Sequence, residues 1–162
     1  MKGTLSMPVQ LTTSDLTSRV GERLGLSEWR VIEQAEVNVF GATTRDPQWI
    51  HTDPERAAHG PFGGTIAHGY LTLSLATAVI DEVFEITDAA MVVNYGVDRV
   101  RFPAPLPVGS KFRAEVILAG LRDFSGGVQA TLRLVYEVAG QDKPCCVADV
   151  LFRYYTSTEL ST

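Results

Sequence analysis

Asp46 and His51 stand five residues apart in the segment Arg45-Asp46-Pro47-Gln48-Trp49-Ile50-His51. A second histidine, His68, precedes Gly69 where a long apolar run begins. A carboxylate, an imidazole and the free amides of a helix start are the parts of an acid–base site acting on a carbonyl compound. Imidazole titrates near pH 6.5, so it can take and give a proton near neutrality. Unpaired N–H groups at a helix N-terminus, helped by the dipole, can hold charge that develops on a carbonyl oxygen. An Asp and a His at this spacing are by themselves ordinary loop chemistry; it is the full set in one stretch that points to a site.

The neighbouring residues have plainer roles. His68 reads as a hydrogen-bonded residue at the helix start, Asp53 as a helix cap and His59 as a solvent residue. A metal site from His51, Asp53 and His59 is conceivable, but none is expected. Gly63-Gly64 lacks the G-x-x-x-x-G-K-[ST] form of a phosphate loop; Gly64 instead lets the backbone approach a ligand. Phe62, Trp49 and Tyr70 either line a tunnel or merely pack.

These residues need elements to hold them. At 162 residues the chain reads as one domain, 1–162, large enough to bury a core. Residues 1–13 are expected to be loose. Ser14-Asp15 can cap a short helix through Leu16, Val20 and Leu24. Ser27 to Ile32 reads as a short strand or its approach. Gln34 to Thr44 has helical spacing and delivers Asp46, where Pro47 disfavours further helix. Asp53 caps a short helix with Pro54 at its first position. Thr65 to about Phe84 is expected as the main helix, roughly 30 Å long, apolar nearly all round and so covered on most sides. From Ala89 onward the chain reads as strands: Met91 to Phe102, a run at Lys111 to Val116, Val128 to Val138, and a last strand with Cys146, Ala148, Val150, Phe152 and Tyr154 on one face. Turns are expected at Arg122–Gly127 and Ala139–Pro144. Short turns between strands make the sheet antiparallel, with four or five strands. The class is α+β, a sheet wrapped around one long helix.

Composition excludes several functions. Net charge is −5 and no basic stripe dominates, so nucleic acid is not a favoured partner. No apolar run has the length of a membrane span, and Met1 to Asp15 lacks a signal-peptide core. Cys145 and Cys146, adjacent in a strand, would point to opposite faces and make a poor disulfide. A reduced, cytoplasmic setting fits.

The segment from Phe40 to Pro54, followed by Pro61-Phe62-Gly63-Gly64-Thr65-Ile66-Ala67-His68-Gly69, resembles the MaoC-like dehydratases, the (R)-specific enoyl-CoA hydratases of the hot-dog fold. The family pattern is an Asp, then Asn-Pro-apolar-His, an Asp-Pro, and an apolar-Ala/Val-His-Gly at the helix start; its spacing is kept from Asp46 through Gly69. The likeness extends from about Trp29 through the last strands, including Val100-Arg101-Phe102-Pro103. Two departures stand out: Arg45 replaces the usual glycine, and Gln48-Trp49 replaces Asn-Pro. The form Asp46-x-Gln48-Trp49-Ile50-His51 looks like a branch that includes nodulation-protein-N-like sequences.

The resemblance implies reversible hydration of trans-2-enoyl-CoA to (3R)-3-hydroxyacyl-CoA. It implies Asp46 and His51 as the acid–base pair, the Gly69 N–H as oxyanion donor, and Gln48, Gly64, Trp49 and Phe62 near the substrate. It implies no metal and no cofactor beyond the coenzyme A that the substrate carries. Arg99, Arg101, Lys111 and Arg113 either meet CoA phosphates or are ordinary strand-face charges. It also implies a homodimer joined through edge strands, with sites near the interface. Two alternatives remain: a hot-dog acyl-CoA thioesterase and a non-catalytic dimeric CoA-ester-binding protein.

Overall fold

In the computed structural model, which describes residues 7–157, the chain enters through β1 (Val9–Leu11). A 3-10 turn at Asp15–Arg19 and short strands β2 (Arg23–Leu26) and β3 (Arg30–Val31) follow. Next come α1 (Gln34–Thr44), α2 (Trp49–Thr52), α3 (Pro54–Ala58), α4 (Gly69–Ser74) and α5 (Ala76–Val83). The chain closes with β4 (Phe84–Ile86), β5 (Met91–Arg101), β6 (Lys111–Phe124), β7 (Gly127–Val138) and β8 (Cys146–Tyr155).

Alternation in the long strands builds the sheet. Phe112, Ala114, Val116 and Leu118 of β6, Ala130, Leu132, Leu134 and Tyr136 of β7, and Cys146, Ala148, Val150 and Phe152 of β8 are all buried. Their inner faces close over Leu71, Ala76, Val79, Ile80 and Val83 of the helices in one core. The sheet has 6 strands in the order β2-β6-β7-β8-β5, with β3 also on β6, and every pairing in it is antiparallel. Register shifts at Leu118/Gly120, Asn94/Gly96 and Val97/Arg99 mark bulges that help it curve around the helix. At Gly25 a Cβ would stand 2.8 Å from Val83 Cγ1, so only glycine lets β2 cross α5 that closely. A helix wrapped by an antiparallel sheet is the hot-dog arrangement. Among the described residues no helix is long and apolar enough to cross a membrane.

Six expectations are corrected. The main helix starts at Gly69, not Thr65, because the backbone of 65–67 is engaged elsewhere: Ala67 N donates to Leu106 O (2.8 Å), Val108 N to Thr65 O (2.9 Å) and Ile66 N to Ile50 O (3.0 Å). It is also divided at Leu75 (ψ 0°), where the Ser74 hydroxyl takes the Leu71 carbonyl at 2.7 Å. Together α4 and α5 extend roughly 22 Å at about 1.5 Å per residue, and Tyr70, Ser74, Thr77 and Asp81 leave one stripe exposed. The helix expected from Leu16 to Leu24 shrinks to the 3-10 turn. Gly21 (φ 91°) redirects the chain, its N–H bonds Leu118 O at 2.7 Å, and Leu24 joins β2.

The loose segment 1–13 is ordered in its described part: β1 pairs in parallel with β4, and Asp88 accepts from both the N–H and the hydroxyl of Thr13. Residues 1–6 lie outside the described residues. The turn expected at 122–127 narrows to Ser125-Gly126, because Arg122 and Asp123 still pair with Gln129 and Val128. The sheet has 6 strands where four or five were expected, because β2 and β3 both pair with β6, and the stretch expected as a loop carries the short helix α2; α1 runs from Gln34 to Thr44 as expected.

Candidate active site

His51 sits in α2, a four-residue helix between Gln48 and Asp53. Its side chain is buried, and Nδ1 lies 2.7 Å from the Ile66 carbonyl. A carbonyl only accepts, so Nδ1 carries the proton and Nε2 keeps its lone pair. Burial holds the His51 pKa below the ordinary 6.5, outweighing the Ile66 bond, which works the other way. The ring is therefore neutral at pH 7, with Nε2 free to accept a proton.

His68, the residue before α4, is fixed in the opposite tautomer: Nε2 donates to the Asp46 carbonyl at 3.0 Å, and Nδ1 is buried without a partner. The two imidazoles stack with centroids 3.8 Å apart and planes 25° apart, while Phe40 closes on the far ring at 5.1 Å. Asp46 follows Arg45, which ends α1 in the left-handed region (φ 58°). Its carboxylate is half-exposed, with Oδ2 3.9 Å from His68 Nε2. Gly41 makes this approach possible, since a Cβ there would meet the Asp46 carbonyl at 3.0 Å and His68 Cε1 at 3.3 Å.

One ligand atom from each of Asp46, His51 and His68 lies within 4.8 Å of the others. As a metal cage the set is poorly aimed. Imidazole lone pairs lie in the ring planes, and two nearly parallel stacked rings cannot both direct theirs at an ion about 2.0–2.1 Å away. The other conceivable set is not assembled. Asp53 caps α3 through Arg56 N at 3.0 Å, and His59 is exposed, bonded to the Glu55 carbonyl.

A cavity of about 350 Å³ opens beside His51. Its wall includes Phe62, Ile66, Gly69, Thr72, Phe102, Leu106 and Cys145. It is lined mainly by apolar side chains, with an imidazole and a helix start reaching into it, and so suits an acyl group with one polar end. Gly69 is pressed against Phe102: a Cβ would lie 2.9 Å from the ring. No side chain caps α4.

His51, Gly69 and Phe62 therefore meet at one cavity; Asp46 is outside its wall and reaches the site through its approach to His51 and His68. Trp49, Gln48 and Gly64 are outside that wall. Trp49 packs against Gly60 and under the Arg56 guanidinium at 4.5 Å. Gln48 is exposed, and its carbonyl accepts the His51 N–H at 2.9 Å. Gly64 borders open space. Tyr70 lies outside the wall too, edge-on to Phe102 at 6.2 Å. Thr72, Cys145 and the Phe102–Leu106 loop are wall residues that sequence reasoning missed. The Pro103, Pro105, Pro107 run was the available sign of an irregular segment there.

The model of the MaoC-like domain matches residues 15–138. The chain belongs to the MaoC-like family. It is 49% identical over 144 residues to the 3-hydroxyacyl-thioester dehydratase Z of Mycobacterium tuberculosis, covering 88% of this chain and 95% of that protein. It is 40% identical to nodulation protein N of Rhizobium leguminosarum bv. viciae, covering 86% and 89%, which bears out the branch expected from Asp46-x-Gln48-Trp49-Ile50-His51. An R-hydratase from Pseudomonas aeruginosa in the unliganded form superposes with a TM-score of 0.71 at 19% identity, covering 93% of this chain and 92% of that one. At that identity the likeness establishes the hot-dog fold of this MaoC-like chain and nothing finer.

Proposed function

We propose that this MaoC-like protein is a 3-hydroxyacyl-thioester dehydratase that interconverts trans-2-enoyl-CoA and (3R)-3-hydroxyacyl-CoA. The observation that carries the reading is the neutral His51 in the cavity wall, its Nδ1–H committed to Ile66, its Nε2 left to accept a proton, and one of its ring nitrogens within 4.8 Å of an Asp46 carboxylate oxygen. In hydration, a water held by Asp46 gives a proton to His51 Nε2 as its oxygen bonds C3. The negative charge passes to the thioester oxygen, which takes the Gly69 N–H at the start of α4. The imidazolium then returns its proton to C2, so that hydroxyl and hydrogen arrive on one face. Dehydration runs the same steps in reverse. The full 49% relative, named a 3-hydroxyacyl-thioester dehydratase, supports this reaction class, and the mechanism asks for no cofactor beyond the carrier.

β5 is a sheet edge carrying the exposed Val92, Tyr95 and Val97, with Phe102 just beyond. An edge of this kind calls for a cover, and a second copy supplies it in the dimer proposed here. Light scattering at micromolar concentration should give twice the chain mass; a stable monomer refutes the dimer.

The reaction is tested by loss of enoyl absorbance with crotonyl-CoA and longer 2-enoyl-CoA esters. Asp46→Asn and His51→Ala should each lower the rate on the order of 10²–10⁴-fold while the fold persists. Full activity in both variants overturns the site, and thiol release without enoyl loss would mark a thioesterase instead.

A further inference from the structure

We propose that Gln34 is a positioning residue for His51. This rests on the reading of His51 as the base. Gln34 is the first residue of α1, half-buried and outside the cavity wall. Its amide nitrogen donates to the His51 carbonyl at 2.7 Å and to Asn38 Oδ1 at 2.9 Å. Its amide oxygen accepts from the Thr65 hydroxyl at 2.6 Å. The orientation of the amide follows from its partners, because a carbonyl can only accept. Both N–H groups and the oxygen are thus engaged.

Thr65 immediately precedes Ile66, whose carbonyl holds His51 Nδ1, and Ile66 N in turn donates to Ile50 O at 3.0 Å. Gln34 therefore ties together the backbone of the base and the segment that fixes its ring. The tie matters because α2 has four residues, and a helix so short cannot hold its own geometry in water. Gln34 touches no reacting atom. It sets where Nε2 points, and displacements of about 1 Å at a catalytic group can cost on the order of 100-fold in rate.

The test uses the full chain with a 2-enoyl-CoA substrate, reading kcat, KM and the pH dependence of kcat/KM. Gln34→Ala should lower kcat about tenfold or more and leave KM unchanged. The acid limb of kcat/KM should move to higher pH, since a looser α2 readmits water to the imidazole. Gln34→Glu keeps the shape but loses both donors and sets a carboxylate against the His51 carbonyl; it should lower kcat and shift the same limb further up. Thr65→Val should show a smaller loss that does not add to Gln34→Ala in the double variant, because its hydroxyl acts through Gln34. A residue that only stabilised the fold would change Tm and leave the limb in place. Should Gln34→Ala fail to fold, Gln34→Glu and Thr65→Val carry the same readouts. His51→Ala separates the two levels. If it keeps the native rate, the reading of the base fails. If it is inactive while the Gln34 and Thr65 variants keep native kcat and pH profile, the positioning role alone is overturned.

Discussion

Replacing Arg45 with glycine should stabilise the protein. Arg45 ends α1 at φ 58°, and it is the one non-glycine residue with positive φ among the described residues. A side chain in that left-handed conformation costs about 1–2 kcal/mol, because Cβ crowds the following carbonyl. Glycine removes the crowding but loses about 0.4–1 kcal/mol through the freer unfolded chain. The difference leaves a net gain of about 0.5–1 kcal/mol. For a chain of this size that is a Tm rise of about 2–3 °C. Urea titration and thermal melts at one fixed protein concentration measure it, since dimerisation would otherwise shift Tm. The turn keeps its shape in the variant, so Asp46 keeps its place and kcat should be unchanged. A fall in stability would refute the reasoning: it would mean that the Arg45 side chain contributes more than its backbone conformation costs.

Other outcomes follow from the same structure. His51 has its pKa depressed by burial, so its contribution to stability is present above the unfolded value near 6.5 and is lost as pH falls through the lower folded value. Unfolding free energy should decline below about pH 6.5, and His51→Gln should flatten that decline in urea titrations at stepped pH. The Arg133 fork grips the buried Asp149 at 2.7 and 3.0 Å and holds its pKa below 3.8. Because Arg133 is 43% exposed, Asp149→Asn should cost only about 0.5–1.5 kcal/mol at pH 7 in urea titration, and a neutral result would show the pair to be fully screened. Burial pushes the thiols of Cys145 and Cys146 up to about 12, so a thiol-reactive dye at pH 8 should label neither in the native state and both in denaturant. Rapid native labelling would contradict their burial.

What could be read from the sequence was what neighbours along the chain decide. α1 ends where Pro47 approaches, Asp53-Pro54 starts α3, and alternation marks β7 and one apolar face of β8. Asp46, His51 and Gly69 could be singled out as candidates because their spacing is local and matches a family pattern. The helix start at Gly69 was hidden: the apolar run from Thr65 fits a helix, and only partners at Ile50, Leu106 and Val108 draw its first residues into an extended segment. β1 was hidden for the same reason, its partner β4 lying far along the chain. The ring stack, the opposed tautomers and the Gln34 tie depend on distances between segments that no periodicity encodes.

The two-residue connection at Ser125-Gly126 has a kinetic consequence. β6 and β7 pair from Phe124↔Gly127 to Phe112↔Val138, so this hairpin zips from a small loop whose closure costs little entropy. The bonds that place His51 instead join residues 15 to 31 positions apart, and Ile66 bridges to Pro107. The hairpin can therefore form early in folding, and the corner around His51 is assembled late, once the scaffold exists. The same order governs opening: amides around α2 should exchange with solvent through local excursions, while those of β6 and β7 wait for global unfolding.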